Sequence, residues 1–340
     1  MQRILVTGGA GFIGSHFVRY LLRHHPAVSV TVLDKLTYAG ILENLAGIRD
    51  DPRFRLVVGD VADPDAVRNA IAGCSAVAHL AAESHVDRSL MDPGGCVHTQ
   101  VHGTLTLLQA SLEAHVERFL LVSTDEVYGP VLEGSASEES LLRPSSPYSA
   151  TKAAAEHLAH AYAVTYDLPV LITRGSNNLG PYQYPEKMLP LFITNALEDR
   201  PLPIYGDGHQ RRDWLHVEDH CAALDLVLRE GEPGTIYNVG SGEERENLAM
   251  ARAILARLGK PETLITFVQD RPGHDRRYSV ATERIRTLGW QPRYSLDQAL
   301  EETIRWYQEN QAWWKRIKAG EYQEYYRRMY LERSVLAPSG

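Results

Sequence analysis

Cysteine is scarce in this chain, which has only three among its 340 residues. The spacing of Cys74, Cys96 and Cys221 fits neither a zinc site nor a disulfide framework, and an odd number favours free thiols. We therefore expect a reducing compartment, the cytoplasm. We also expect no bound metal ion.

An excess of basic charge and long apolar runs are also lacking. Lysine and arginine total 35 against 43 aspartate and glutamate residues, which gives a formal net charge of -8. Such an acidic chain is a poor candidate for binding nucleic acid or an anionic membrane. No window approaches the roughly 20 apolar residues of a membrane span, and the N-terminus shows no secretion signal. We expect neither a membrane protein nor a secreted one.

The first half of the sequence alternates apolar runs with amphipathic stretches. Strands are predicted at Ile4–Thr7, Val28–Leu33, Phe54–Val58, Ala76–Leu80, Phe119–Ser123 and Val170–Arg174. Helices are predicted at Phe12–His24, Pro64–Ile71 and Thr104–Ala114. This alternation is typical of βαβ units around a parallel sheet. We therefore predict an α/β fold, a Rossmann-type doubly wound parallel sheet.

This rhythm changes after about Asn177. Shorter strands are predicted at Pro203–Tyr205, Thr235–Val239 and Leu264–Val268, among helices and Gly/Pro turns. We predict a smaller mixed α/β C-terminal lobe that binds the substrate, from which the chain returns to the main sheet at least once. The two domains are predicted at residues 1–176 and 177–340. The aromatic stretch from Trp306 to Arg333 is predicted to be a packed or subunit-facing helix.

Glycines follow the first predicted strand, in the segment Thr7-Gly8-Gly9-Ala10-Gly11-Phe12-Ile13-Gly14. Glycine permits a tight turn, a close approach of the backbone to a pyrophosphate, and close packing of helix on strand. The helix that follows presents N–H donors and the positive end of its dipole. Because the motif lies between a strand and an amphipathic helix, it predicts dinucleotide binding in the first domain.

An acidic residue ends the second predicted strand, 20 residues after Gly14. The carboxylate of Asp34 can accept hydrogen bonds from an adenosine ribose but would repel a 2′-phosphate. This favours NAD over NADP, although the neighbouring Lys35 argues the other way. Asp60 ends the third strand and either contacts the adenine or serves as a turn acid.

A Tyr-x-x-x-Lys pair, Tyr148 and Lys152, follows the fifth predicted strand. Residues four apart share one face of a helix, and an ammonium group near a phenol and near the positive nicotinamide of NAD lowers the phenol pKa. A tyrosinate can then take the proton of an alcohol while the hydride leaves to NAD. The hydroxyl of Thr124, at the end of that strand, can hold the alcohol against the tyrosine.

These residues lie within longer motifs. The most discriminating is Ser123-Thr124-Asp125-Glu126-Val127-Tyr128-Gly129, and others are Ala81–Ser89, Gly180–Gln183, Arg212–Trp214 and Arg271–Asp275. Over nearly all of residues 1–310 the sequence resembles the extended short-chain dehydrogenases, and among them the dTDP-glucose 4,6-dehydratases. Related epimerases and decarboxylases typically lack the consecutive Asp-Glu. The resemblance implies NAD as cofactor, a dTDP-sugar as substrate and a homodimer.

Adjacent acids suit the reaction that the resemblance implies. Oxidation of the sugar at C4 makes the C5 proton acidic, and the C6 hydroxyl must then leave as water. Two carboxyl groups whose pKa values differ can share these tasks. The resemblance assigns the C5 base to Glu126 and the C6 acid to Asp125, with Thr124, Tyr148 and Lys152 completing the catalytic set.

The resemblance also implies two groups of binding residues. Those for NAD are Gly8, Gly11, Phe12, Ile13, Gly14, Asp34, Lys35, Thr37, Asp60, Val61, Leu80, Ala81, Ala82, Ser84, Thr99, Tyr148, Lys152 and Asn177. Those for the sugar nucleotide are Ser84, His85, Thr124, Asn177, Glu186, Lys187, Arg212, Asn247, Arg271 and His274.

Three single positions depart from the pattern of the family, as does the loop Gly240-Ser241-Gly242. Ile41 and Gln100 stand where asparagine is usual, and Leu179 stands where an aromatic residue is usual. These departures leave room for a UDP-sugar in place of a dTDP-sugar. Two other hypotheses remain open, a sugar-nucleotide epimerase or decarboxylase and a catalytically silent NAD-binding regulator, although the intact Thr124, Tyr148 and Lys152 argue against a regulator.

Overall fold

A seven-stranded parallel sheet forms the centre of the computed structural model, which describes residues 1–320 and 322–331. The strands of the chain are β1 (Arg3–Thr7), β2 (Ser29–Asp34), β3 (Phe54–Val58), β4 (Ala76–His79), β5 (Arg118–Thr124), β6 (Val170–Gly175), β7 (Asn177–Leu179), β8 (Leu202–Tyr205), β9 (Arg211–His216), β10 (Ile236–Val239), β11 (Glu244–Glu246) and β12 (Ile265–Val268). The order in the large sheet is β10-β6-β5-β4-β1-β2-β3. This confirms the predicted doubly wound α/β fold.

Helices connect and cover the strands. They are α1 (Phe12–His24), α2 (Pro64–Ile71), α3 (Val86–Met91), α4 (Pro93–Cys96), α5 (Gly103–Glu113), α6 (Pro147–Tyr166), α7 (Met188–Leu197), α8 (Val217–Glu230), α9 (Asn247–Leu258), α10 (Glu283–Thr287), α11 (Leu296–Glu309), α12 (Gln311–Lys318) and α13 (Tyr322–Tyr326). Short 3₁₀ turns lie at Leu42–Leu45, Asp125–Tyr128 and Glu262–Leu264, and π-helical turns at Val97–His102 and Arg327–Leu331.

Two apolar cores lie on opposite faces of the large sheet. Helices α1 and α8 cover one face, where Phe17, Leu21 and Leu224 are fully buried. Helices α2, α5 and α6 cover the other, around Leu107 and Phe119. Because both faces are covered, the strands are continuous apolar runs, which is why they could be located from the sequence.

A third core is formed mainly by residues that follow β6 in the chain. It is built around α7, α9, α11 and α12, with a three-stranded sheet in the order β11-β9-β7 and a two-stranded parallel sheet of β12 and β8. Strand β10 returns to the edge of the large sheet beside β6, as predicted. The division at residues 176 and 177 stays a prediction. No helix of the described ranges has the length and apolar content that crossing a membrane requires.

The aromatic C-terminal stretch differs from the single helix predicted for Trp306 to Arg333. Helix α11 ends at Glu309 because Asn310 leaves helical geometry, and α12 and α13 follow as separate short helices. Tyr322 and Tyr325 are buried against the third core, so this stretch packs within its own chain. Residues 332 and 333 of the predicted helix lie outside the described part of the chain.

Candidate active site

The glycine motif lies where the strand order of the large sheet reverses. Strand β1 lies between β2 and β4, and ligands of open α/β sheets bind at such a switch point. Gly8, just after β1, has a φ of 69°, and a Cβ there would lie 2.7 Å from the backbone nitrogen of Ala81, just after β4. A Cβ at Gly14 would collide with the carbonyl oxygen of Gly8. Only glycine therefore allows this close approach of loop and helix.

The start of α1 provides an anion site beside these glycines. Gly11 precedes the helix, and within the described residues no side chain caps this end. The first N–H groups of the helix therefore remain available to a pyrophosphate, which the helix dipole also favours. This local geometry is what the spacing of the glycines predicts.

Asp34 and Asp60 lie at the ends of β2 and of the segment after β3. The Asp34 carboxylate accepts hydrogen bonds from the N–H groups of Ala10 and Leu36, both at 2.8 Å, and burial raises its pKa in spite of them. Lys35 donates to Asp60 at 2.7 Å, and Asp60 also accepts from the backbone N–H of Ala62. The Lys35 ammonium group is thus paired with Asp60. The backbone contact of Asp60 is that of a turn acid, and the residue also lines the cavity described next.

A long cavity of about 320 Å³ runs from these acids to the catalytic residues. Every NAD-binding residue predicted from the resemblance lines it: Gly8, Gly11, Phe12, Ile13, Gly14, Asp34, Lys35, Thr37, Asp60, Val61, Leu80, Ala81, Ala82, Ser84, Thr99, Tyr148, Lys152 and Asn177. Its shape and its glycine wall fit an extended dinucleotide. We call it the first cavity.

The catalytic tyrosine is positioned by the start of α6. Ser146 and Ser149 form a reciprocal capping box, and Pro147 occupies the first turn, so the helix begins directly before Tyr148. Lys152 follows one turn later and donates to the carbonyl oxygen of Val122 at 2.9 Å. Both residues line the first cavity beside Thr124.

The lowering of the Tyr148 pKa by Lys152 and the nicotinamide of bound NAD stays a prediction. In the chain without NAD, burial and then the charge of Glu126 raise this pKa, and the hydrogen bond with Thr124 lowers it. The ammonium group of Lys152 is directed to the backbone of β5. Burial lowers the pKa of Lys152 to about 8.

The consecutive acids occupy the 3₁₀ turn that follows β5. The hydroxyl oxygen of Thr124 accepts a hydrogen bond from the N–H of Glu126 and donates one to Asp125 Oδ1, both at 3.3 Å. Asp125 is buried, and its Oδ2 has no partner among the described residues. Burial and the charge of Glu126 raise the pKa of Asp125 well above its usual range.

Glu126 lies in a more cationic environment than Asp125. Burial raises its pKa, but the charges of Arg271, Lys187 and Arg212 oppose that rise. Glu126 is partly open and lines both the first cavity and a second one. The two neighbouring carboxyl groups therefore differ in environment, as an acid and base pair requires.

The second cavity, of about 150 Å³, extends from Glu126 into the third core. Most of the predicted substrate residues line it: His85, Asn177, Glu186, Lys187, Arg212, Asn247, Arg271 and His274. The other two, Ser84 and Thr124, line the first cavity. Both cavities are lined by Glu126, Asn177, Glu186, Lys187, Met188 and Trp214. Ligands bound in the two cavities would therefore meet beside Glu126.

Three cations converge on the second cavity. Arg212 is held by its bonds to the carbonyl oxygens of Arg211 and Asp275, both at 2.8 Å, and lies over the ring of Tyr278. Burial lowers the pKa of Lys187, whose ammonium group donates to the carbonyl oxygen of Ser84. Arg271 pairs with Asp87 at 3.1 Å. On an acidic chain this is the local cation concentration that a diphosphate needs.

Three more of the predicted substrate residues have partners within the protein. The Glu186 carboxylate is paired with Arg88 at 2.7 Å, and the carbonyl oxygen of Glu186 lies 3.3 Å from His85 Nε2. His274 is paired with Asp270 at 2.6 Å. These contacts fix the walls between the two cavities.

Sequence reasoning did not select several residues that line the second cavity. They include Asp87, Tyr205, Trp214 and Tyr278. Asp87 bonds both Arg271 and the hydroxyl of Tyr205, so it orients one cation and one aromatic wall. Asp87 and Trp214 stand inside the quoted motifs, and that membership is the signal that could have found them.

The three departures from the family pattern lie behind the cavity walls. The Gln100 amide bonds the backbone of Glu83 and, at 3.3 Å, the hydroxyl of Thr151 on α6. Leu179 is fully buried in the third core, and Ile41 packs against that core. Among the cavity-lining residues of the described chain, none of the three is found.

Histidines with the four-residue spacing of some metal sites occur as His98 with His102 and as His216 with His220. The sequence-based expectation of no metal ion did not take these two pairs into account. His98 instead bonds Asp60 at 3.1 Å, and His220 bonds Asn178 at 3.0 Å. Within residues 1–320 and 322–331, no three histidine, cysteine or acidic side chains are grouped to hold a metal ion.

Comparison with known proteins shows the family of the chain. The family described as GDP-mannose 4,6 dehydratase matches residues 5–303. The chain belongs to this family. A dTDP-glucose 4,6-dehydratase of Streptomyces niveus is 50% identical over 323 residues, which cover 94% of this chain and 96% of that relative.

Solved structures of the dehydratases and of epimerases share the fold. DesIV, a dTDP-glucose 4,6-dehydratase of Streptomyces venezuelae solved with NAD and dTDP bound, is 50% identical with a TM-score of 0.91, covering 93% of this chain and all of that one. A UDP-glucose 4-epimerase of Thermus thermophilus, solved with NAD, is 33% identical with a TM-score of 0.84, covering 91% and 99%. The fold alone therefore does not separate the two reactions, and the site residues must.

Proposed function

We propose that this chain is an NAD-dependent lyase that converts dTDP-glucose to dTDP-4-keto-6-deoxyglucose with no net redox change. One observation carries the proposal: Asp125 and Glu126, in different environments, lie beside Tyr148 where the first and second cavities meet. An epimerase has no need of an acid and a base in addition to its tyrosine.

The first cavity fits NAD. The glycine cradle, the free helix end of α1 and Asp34 at the far end match a dinucleotide without a 2′-phosphate. When bound, NAD supplies the acceptor for a hydride from sugar C4 and the donor of that hydride to C6. Its positive nicotinamide also adds the charge that the chain by itself lacks around Tyr148.

Tyr148 and its neighbours carry out the proton transfer of the oxidation. Thr124 holds the C4 hydroxyl, and the Tyr148 oxygen takes its proton as the hydride leaves. Lys152 in its protonated form stabilises the resulting tyrosinate. The C4 alcohol thereby becomes a ketone, and the C5 proton becomes acidic.

The acids complete the elimination. Glu126, whose carboxylate form the charges of Arg271, Lys187 and Arg212 favour against the effect of burial, removes the C5 proton. Asp125, whose pKa is raised by burial and by the charge of Glu126, gives its proton to the C6 hydroxyl, which leaves as water. Glu126 then returns its proton to C5 as C6 receives the hydride. The proton that Tyr148 took from the C4 hydroxyl is released to solvent and Asp125 regains one from solvent, so the overall change is the loss of one water molecule.

The second cavity is proposed to bind the nucleotide. Lys187, Arg212 and Arg271 face the diphosphate, and Asn177, Asn247 and His274 supply polar contacts. Leu191, Phe192 and Ile204 add an apolar wall that suits the thymine methyl group.

We further propose a cytoplasmic homodimer and a division into an NAD-binding domain and a sugar-nucleotide lobe. Helices α5 and α6 pack side by side on the outer face of the sheet, and Val97, Val164 and Tyr166 on or next to them are exposed. A four-helix interface between two such pairs would cover these side chains. Light scattering of the purified protein measures the mass directly, and a monomer would remove this part of the proposal.

The test of the reaction is a single incubation. Purified protein and dTDP-glucose should give a 4-keto product that absorbs in alkali, with no net NADH. Formation of the C4 epimer without this product would assign the chain to the epimerases. A chain that binds NAD but leaves dTDP-glucose unchanged would be a regulator.

A further inference from the structure

A buried polar network lies behind the catalytic residues and contacts neither cavity. Arg174 on β6 makes a two-pronged ion pair with Glu156 on α6, with Nη2 at 2.7 Å and Nε at 3.0 Å from Oε2. The same guanidinium donates from Nη1 to the hydroxyl oxygen of Tyr128 at 2.7 Å. That hydroxyl donates to Asn238 on β10 at 2.7 Å.

The network is placed by the parts of the fold that carry the chemistry. Tyr128 is the last residue of the 3₁₀ turn that begins at Asp125. Glu156 follows Tyr148 and Lys152 at the same four-residue interval, so all three lie on one face of α6. Arg174 pairs in register with Ser123, one residue before Thr124. Arg174 thus joins the turn of the two acids to the helix of the tyrosine.

The burial of these groups makes their geometry well defined. The side chains of Arg174 and Glu156 are only 4% and 3% exposed, and the guanidinium carbon lies 4.7 Å from the centre of the Tyr128 ring. Bidentate contacts of arginine fix direction as well as distance. Glu156 also supplies the charge that opposes the lowering of the Lys152 pKa.

We propose that Tyr128, Arg174 and Glu156 are positioning residues that set Asp125 and Glu126 against the substrate held by Tyr148. The proposal rests on the proposed dehydration and deepens it. A small displacement of the turn would misplace the acids while Tyr148, Lys152 and the cofactor cleft stay in place. Elimination should therefore suffer more than oxidation.

The test is Tyr128→Phe, which removes one hydroxyl and keeps the ring. We expect a folded protein that binds NAD and dTDP-glucose as the parent does. Its kcat for dehydration should fall about 10-fold to 100-fold with KM unchanged, because sub-ångström misplacement at a reacting centre has effects of this size. Enzyme-bound NADH should accumulate during turnover, since oxidation outruns elimination.

The matched control is Tyr237→Phe on β10. This residue is also buried, and its hydroxyl accepts one hydrogen bond, from the Glu232 N–H at 3.0 Å, but it has no bond to Arg174 and lines neither cavity. This control should keep the parent kcat and show no NADH. Equal losses in both variants, or parent behaviour in Tyr128→Phe, would overturn the proposal.

A second arm shows whether the network acts through the acids. In a Glu126→Gln background, where the base is already absent, adding Tyr128→Phe should change the residual elimination rate little, because coupled residues are non-additive. A full multiplicative loss would show that Tyr128 acts independently of Glu126 and would overturn the proposal for that acid. If the parent itself fails to dehydrate dTDP-glucose, the proposed function fails, whereas the ratios between variants judge only the network.

Discussion

Asp125 and Glu126 are neighbours in the chain whose carboxyl groups have different surroundings. The Asp125 carboxyl is buried with Oδ2 unpaired among the described residues, whereas Glu126 is reached by the fields of Arg271, Lys187 and Arg212. Burial and the Glu126 charge together raise the pKa of Asp125 well above its usual range. A negative charge on Glu126 therefore favours the protonated form of Asp125, so each residue helps to define the role of the other.

The base is tested by Glu126→Gln. This variant should still oxidise C4 but stall before elimination, so bound NADH should build up and exchange of the C5 proton with solvent deuterium should be lost. Dehydration should fall by about 10²–10⁴-fold, the scale of general base catalysis. Glu133→Gln, an exposed glutamate, is the control and should match the parent. Dehydration by Glu126→Gln at the parent rate would remove Glu126 from this role.

The sequence was sufficient to predict the large sheet and the residues that line the first cavity. Apolar runs and amphipathic stretches alternate clearly there, and β3, α1 and α2 have the predicted bounds. Strands β7 and β11 were missed because they have only three residues each. Strand β9 was missed because it begins with the polar residues Arg211, Arg212 and Asp213, whose pairing depends on distant residues. The motifs identified Glu186 and Arg271, but only the fold shows their pairing with Arg88 and Asp87.

The environment of Tyr148 shows why electrostatics could not be inferred from spacing. A Tyr-x-x-x-Lys pair does share a helix face, but the direction of the Lys152 side chain depends on the β5 carbonyl group that it meets. Likewise, the break in the C-terminal helix at Asn310 reflects packing against the third core, which the helical pattern of the sequence does not reveal.

The pH dependence of oxidation tests Lys152. Burial lowers its pKa to about 8, so the ammonium form that stabilises the tyrosinate is present below that pH and is lost as the pH rises through it. In Glu126→Gln, which stops after oxidation, the rate of NADH appearance should therefore fall with a midpoint near pH 8. Tyr148→Phe should form no NADH at any pH. A rate that stays constant or rises up to about pH 10 would contradict the role of Lys152.

The glycine cradle is tested by Gly14→Ala. The added Cβ would meet the Gly8 carbonyl oxygen, so the loop must shift and NAD should be lost on purification. Gly94→Ala on α4 is the control, because its Cβ would lie 3.5 Å from the nearest atom, an ordinary contact. The parent should release NAD when denatured. Release of NADP, or full NAD content in Gly14→Ala, would refute the assignment of the first cavity.

The base of the nucleotide should matter modestly. Thymine and uracil differ by one methyl group, a contact of about 1–3 kcal/mol in an apolar pocket, or about 10-fold to 200-fold in kcat/KM. The apolar wall of the second cavity predicts that dTDP-glucose is preferred over UDP-glucose. Steady-state kinetics with both substrates measures the ratio, and a higher kcat/KM for UDP-glucose would reverse the preference.

The acid is tested by Asp125→Asn, which keeps the size of the side chain but removes its transferable proton. Oxidation should continue, and because Glu126 is intact, exchange at C5 should persist in part, while loss of the C6 hydroxyl should fall by about 10²–10⁴-fold. A substrate with fluoride at C6 needs no proton to release its leaving group, so it should restore elimination in this variant and leave Glu126→Gln inactive. This crossed pattern separates the two acids. If fluoride rescued Glu126→Gln instead, the roles of Asp125 and Glu126 would have to be exchanged.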